Sequence, residues 1–551
     1  MKKAAKKLFA VLLALAMLST LAVPVFAADP PTADLSGHTF EVYQIFKGTV
    51  AAKAGESGLR LSNAKWGDGI VQNYFVPDIA HYTLFENNPF TSFTTTTTAA
   101  EVVAAMENWA ENDSQNALNF ARRAYFCINK GTANRHSSQN GTSITFTEDG
   151  YYLIVDTTST HNNDQARNFS NLILAKANTS IEVIPKIVKP TVTKQVQTNT
   201  GDLGTAVFAD SASHAINEPF YFKLTAALPA STAYKYYRAY RVQFNDTHTA
   251  GITLDDFDTN LTVQIKCRTK TATLTAGTDY TLTPTTTPAG FTLYIQLINE
   301  FQFKSTTSSI TVDDLQTNGA EIEVTYKAHL NESADVITYP AAGTTANVTN
   351  SNSVTLHYSN SPNDEIPFDT VHGTTTAAAA YVATFGVNNT KYADDLPDDG
   401  GAALAGAEFK LYTDPTCSAD KEVKLYQYTD GNYYPINSAT GKTEATMVSA
   451  DTTGKFNICG LDAGTYYLQE TKAPDGYNTC EKIEIKINAT LTGDTVDLTN
   501  AKGMVNNIVD YSGVVLPSTG GMGTTLFYVV GGLLMVGAAV LLVTKKRMQK
   551  N

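Results

Sequence analysis

The stretch Gly464-Thr465-Tyr466-Tyr467-Leu468-Gln469-Glu470-Thr471-Lys472-Ala473-Pro474-Asp475-Gly476-Tyr477-Asn478 decides how the chain is read. Its first half alternates with period two, which places Tyr466, Leu468 and Glu470 on one face of a β-strand. Gly150-Tyr-Tyr-Leu-Ile-Val-Asp156 repeats the spacing and sets Asp156 where Glu470 stands. Between the two lie PFYFKLTAAL, LTVQIKC, FTLYIQL, IEVTYKAHL and SVTLHYS, strand-length runs rich in Thr and Val and separated by turns. Many short strands of this kind predict antiparallel sandwiches, so the fold class is all-β.

Working outward, three modules are expected. The first, 28–185, opens on the alternating strand Phe40 to Phe46 and carries a helical insertion over Ala99 to Tyr125. Pro185 and Pro190 break regular structure around 186–190, which leaves Lys186 on a stiff, exposed connector with Lys189 close by. The second module covers 191–365. Its last strand, VTLHYSNSPND, aligns Val354, Leu356, Tyr358 and Asn360 on one face, and a buried-face asparagine asks for a partner, for which Lys194 on the first strand is the candidate. A second linker is expected at 366–381, and a third module at 382–513.

The two ends place the chain. Residues 1–27 combine Lys2, Lys3, Lys6 and Lys7 with an apolar core and small residues up to Ala27, the pattern of a secretory signal peptide. After Leu516-Pro517-Ser518-Thr519-Gly520, an uncharged apolar run over 525–543 is long enough to cross a membrane, and Lys545, Lys546 and Arg547 in the tail 544–551 favour the cytoplasmic side. Formal charge is −13 although both ends are basic, so the exported part is more acidic still, which argues against nucleic acid as a partner. Five cysteines are too few to be the main staple of an extracellular protein; Cys417, Cys459 and Cys480 share one region, where one pair at most could form.

The order LPSTG, apolar helix, basic tail resembles the cell-wall sorting signal of Gram-positive surface proteins, in which sortase cuts between Thr519 and Gly520. Pro517 keeps that peptide extended and Gly520 removes bulk beside the bond. The segments HTFEVYQIFKG and AKWGDGI resemble the N-terminal domain of sortase-assembled backbone pilins. IEVIPKIVKP is similar to their pilin motif, with Ile184 in place of its usual tyrosine, and FGVNNTKYAD, LAGAEFKLY and GTYYLQETKAPDGYN resemble a Cna B-type domain with its E-box. The resemblance implies tandem immunoglobulin-like (Cna-type) β-sandwiches. It also implies internal Lys–Asn or Lys–Asp isopeptide bonds, and a shaft in which Thr519 of one copy is joined to Lys186 of the next.

For the second module the trio is Lys194, Asn360 and Asp246, the last placed by the similarity of YRVQFNDTHTAGITL to the family's middle domain. For the third it is Lys391, Glu470 and an acceptor that is Asp510, Asn506 or Asn507, between which the sequence does not choose. The chemistry is plausible on elementary grounds: a lysine amine in a dry core is driven towards its neutral, nucleophilic form, and a carboxyl beside it can carry the proton. In the first module no lysine stands where a cross-link would need one. The partners implied are sortase, further copies of the chain, ancillary pilins, peptidoglycan and host or neighbouring-cell surface ligands. An ancillary pilin or a monomeric wall-anchored adhesin is the alternative. No cofactor, metal cluster or hydrolase motif is expected, and the lysine chemistry is internal and single-turnover, so the chain is not read as an enzyme.

Overall fold

A computed structural model describes residues 39–183, 188–359, 372–513 and 523–549, apart from 53–58, 108, 110–114, 138–141, 157–172, 256, 258–260, 305–308, 340–343 and 437–440. The signal peptide, Lys186, Asn360 and the LPSTG peptide lie outside the described residues.

The first module is built on a sheet in which β1 (Thr39–Ala52) lies between β2 (Leu59–Trp66) and β3 (Gly150–Asp156). Where a single helical insertion is expected, three helices occur: α1 (Gln72–His81), α2 (Ala99–Met106) and α3 (Gln115–Phe126). Thr98 and Glu101 form a capping box that starts α2. Phe75 of α1, Ala99 and Val102 of α2 and Phe120 of α3 share one core with Phe46 of the sheet and Phe90 of the connecting loop. At the module's edge the buried Arg122 of α3 donates to the Tyr236 carbonyl at 3.4 Å and lies 4.9 Å from the Phe301 ring, which docks the first module on the second.

The second module is a sandwich of two sheets. One has the order β7 (Thr262–Cys267), β9 (Ala320–Leu330), β5 (Pro219–Leu228), β4 (Thr191–Gln197), counted in chain order. The other runs β11 (Ala378–Ala383), β10 (Ser351–Tyr358), β6 (Ala239–His248), β8 (Ala289–Asn299). Strict in–out alternation along β5 and β10 supplies a core of Phe220, Phe222, Leu224, Val354 and Leu356.

The third module pairs a sheet containing β12 (Phe385–Ala393), β14 (Ile458–Leu461) and β17 (Val505–Asp510) with one ordered β13 (Glu408–Tyr412), β15 (Gly464–Lys472), β16 (Ile483–Ile487). Here β12 and β17, the opening and closing strands, run parallel and adjacent, with Lys391 opposite Ile508.

The stretch expected to be a linker at 366–381 is not one throughout. Residues 378–383 are β11, antiparallel to β10 and parallel to a short strand at 211–213, and one residue later the chain enters β12. The joint is interlocked: 345–347 pairs with 495–497 of the third module, the Ile216 amide donates to the Gly460 carbonyl at 2.9 Å, and the Asn217 side chain donates to the Pro435 carbonyl at 3.3 Å. Gly460, at φ +83°, lets Ile216 come within 2.7 Å of where a β-carbon would sit, so any side chain there would push the modules apart. The final helix, Gly523–Met548, includes an apolar span Leu526–Met548 of mean hydropathy 2.5.

Candidate functional site

Two clusters of buried polar side chains stand out from the apolar cores, one in each of the last two modules. In the middle module, the alternation of β4 turns Val192, Lys194 and Val196 inward. The Lys194 side chain is fully buried, and its Nζ contacts Asp246 Oδ2 and donates to the Tyr326 hydroxyl at 2.9 Å. Asp246 arrives from β6, opposite Val354 of β10, and Tyr326 from β9. Tyr326 in turn donates to Asp246 Oδ2 at 2.9 Å and accepts from Asn352 Nδ2 at 2.8 Å. Phe222 and Phe291 wall the group, Phe222 with its ring 5.3 Å from Nζ and Phe291 edge-on to Tyr326. Burial therefore pulls the Lys194 pKa down to about 8 against the opposing pull of Asp246. Two oxygens here, Asp246 Oδ1 and Asn352 Oδ1, are buried without a hydrogen-bond partner.

In the third module, Lys391 of β12 is likewise fully buried; its Nζ contacts Asp510 Oδ1 and donates to Glu470 Oε2 at 3.3 Å. Glu470 comes from β15, opposite Phe409, and the backbone amide of Cys480 donates to its Oε2 at 2.7 Å. Glu470 Oε1 and Asp510 Oδ2 are the orphan oxygens of this cluster. Desolvation raises the Asp510 carboxyl to about 6, with Lys391 pulling it down and Glu470 pushing it up. Oxygens of Glu470 and Asp510 and the Cys480 sulfur lie within 4.8 Å of one another, a spacing that would also suit a metal ion. The group set between these two carboxyls is the Lys391 amine, whose Nζ contacts both.

The structure thus brings together Lys194 with Asp246, and Lys391 with Glu470 and Asp510. Asn506 lies apart from the second cluster, donating to Asn389 Oδ1 at 2.9 Å, and Asn507 is exposed. Asn352, not singled out in the sequence, is completely buried in the first cluster. It shares the inward face of β10 with Val354, Leu356 and Tyr358; the same alternation that points to Asn360 points equally to Asn352, two residues before Val354. None of the five cysteines is in a disulfide.

Comparison with known proteins matches residues 395–502 to the SpaA prealbumin-like fold domain, and residues 509–550 to the LPXTG cell wall anchor motif. No curated protein matches the chain. Among solved structures, the full-length major pilin SpaD of Corynebacterium diphtheriae is similar at 16% identity, covering 90% of this chain and 94% of that one with a TM-score of 0.40. A three-domain backbone pilin of Streptococcus pyogenes is similar at 15% identity, covering 87% and 96% with a TM-score of 0.41. The apolar helix, with Lys545, Lys546 and Arg547 in its last turn, lies within the matched anchor region. The chain is a cell-wall-anchored surface protein with an LPXTG anchor motif and, immediately before it, a SpaA-type prealbumin-like domain.

Proposed function

We propose that this protein is the shaft subunit of a covalently polymerised surface pilus. Sortase cleaves after Thr519 and joins its carbonyl to Lys186 of the next copy, giving an open head-to-tail polymer whose last member is attached to peptidoglycan. Each subunit is strengthened by two self-made amides. The observation that carries the proposal is the pair of buried lysines, each carried on the opening strand of its module and touching a buried carboxylate.

In the third module, Lys391 attacks Asp510 Cγ with loss of water while Glu470 carries the proton. In the middle module, Lys194 attacks Asn352 Cγ with loss of ammonia, with Asp246 as the base. The unbonded state is an unfavourable place for these charges, since a buried ion pair retains much of its desolvation penalty. Condensation converts each lysine amine into a neutral amide nitrogen. Lys391 and Asp510 are 119 residues apart in sequence. Closing a loop of that size removes unfolded-state entropy worth about 5 kcal/mol. It also carries axial tension from β12 straight to β17, so the residues between them bear no load.

Intact mass tests the internal bonds, each subunit being lighter than its sequence by about 35 Da, about 17 from ammonia and about 18 from water. Co-expression with the pilus sortase tests the polymer. A detergent-resistant ladder is expected, and Lys186→Ala should abolish it while leaving the monomer on the wall; a ladder that survives would remove Lys186 from the linkage.

A further inference from the structure

The Tyr326 hydroxyl touches every other polar member of the middle cluster. A phenol has one proton to give and two lone pairs. Tyr326 uses all three, accepting from Lys194 Nζ and Asn352 Nδ2 and donating to Asp246 Oδ2. Packing alone does not ask for this oxygen. The ring lies 5.7 Å from Phe222, 5.9 Å from Phe257 and 5.2 Å from Phe291, and a phenylalanine would fill the same space.

We infer that Tyr326 is a catalytic residue of the Lys194–Asn352 condensation, relaying a proton from Asp246 to the departing amide nitrogen. The inference rests on the reading of this cluster as bond-forming. An amide nitrogen leaves as ammonia only after gaining a proton, and Tyr326 is the protic group in contact with Nδ2. As the bond from Nζ to Cγ forms, Asp246 takes the proton that Nζ sheds. It passes a proton to the Tyr326 oxygen while Tyr326 hands its own to Nδ2. The bond from Cγ to Nδ2 then breaks, ammonia departs, and Asp246 and Tyr326 end as they began. Burial and the Asp246 carboxylate hold the phenol far above its ordinary pKa, so it serves as a proton conduit and not as a phenolate.

The test follows bond formation in the freshly synthesised full exported chain, reading the Lys194–Asn352 cross-linked peptide over time by mass spectrometry. Tyr326→Phe should slow its appearance by about a hundredfold or more, while the third module's cross-link forms at the wild-type rate and reports that the chain has folded. Equal rates in wild type and Tyr326→Phe would overturn the relay. If the variant does not fold, the wild type decides: a relay that moves protons in the rate-limiting step predicts a solvent deuterium isotope effect, and its absence overturns the proposal. A wild-type chain with no cross-linked peptide would instead remove the bond-forming reading, and the role of Tyr326 with it.

Discussion

The two clusters solve one problem with different parts. Each holds a buried lysine against a carboxylate, but the middle cluster adds an amide and a phenol, whereas the third adds a second carboxyl. The difference follows from what must leave. An asparagine acceptor would expel ammonia and need a proton delivered to its nitrogen, the part proposed for the Tyr326 hydroxyl beside Nδ2. An aspartate acceptor expels water and can bring its own proton, provided its acid form is populated. Desolvation raises the Asp510 carboxyl to that end, and the neighbouring Glu470 adds to it. In the middle cluster one acid faces one lysine; in the third, two acids face one lysine.

That imbalance sets the largest expected effect. Lys194→Ala and Lys391→Ala each remove a loop closure worth about 5 kcal/mol. Lys391→Ala also leaves Asp510 as a free buried acid beside Glu470, where Lys194→Ala leaves a neutral asparagine beside Asp246, and an uncompensated buried charge costs about 3–5 kcal/mol unless it takes up a proton. Denaturant unfolding of the exported chain should therefore rank Lys391→Ala as the more damaging, and more so at neutral pH than in acid. Equal losses would erase the distinction between the clusters.

The second expectation concerns rate, and here the clusters should respond to pH in opposite senses. The middle reaction needs a neutral amine; with the Lys194 pKa lowered to about 8, bond formation should quicken as pH rises and level off near 8. The third needs the acid form of Asp510 as well as the neutral Lys391 amine, whose proton Glu470 takes; with the Asp510 pKa raised to about 6, bond formation should slow as pH climbs above 6. Away from each plateau the change approaches tenfold per pH unit, about 1.4 kcal/mol. Timed mass spectra of the two cross-linked peptides across pH 5 to 9 would read both slopes, and parallel slopes would mean that the leaving group does not govern the chemistry.

Much of this architecture was legible because strand alternation is a local signal. PFYFKLTAAL coincides with the observed strand Pro219–Leu228, and the alternation through Tyr466 and Leu468 carries Glu470 into the core. What escaped depended on tertiary structure. The helix Gln72–His81 contains Pro77, a residue that ordinarily argues against a helix interior, yet Phe75, Val76, Ile79 and Ala80 bury one face of it against the first module's core. The Ala-rich strand Ala378–Ala383 has small side chains and little pattern; its pairing with Ser351–Val354 on one side and 211–213 on the other makes it a strand. Asn352 was missed for a different reason. Period two says which face a residue occupies and not how far along the strand the lysine will reach, so only the register of Asp246 against Val354 brings Asn352 into the cluster.

The smallest effect probes the same kind of register in the third module. Val505-Asn506-Asn507-Ile508-Val509-Asp510 runs parallel to β12, with Asn506 opposite Asn389 and Asp510 opposite Ala393. Asn506 ties the two strands through Asn389 Oδ1 and also donates to the Gly503 carbonyl at 2.8 Å. Asn506→Ala should cost about 1 kcal/mol, the net worth of a partly exposed hydrogen bond. Asn507→Ala, at an exposed position, should cost less than about 0.5 kcal/mol. Neither should alter the loss of about 18 Da assigned to the third module, whereas Asp510→Ala should abolish it. A third-module mass loss that disappeared in Asn506→Ala, or that measured about 17 Da in the wild type, would move the acceptor from Asp510 to an asparagine. The contrast between an acid and an amide acceptor would then fall.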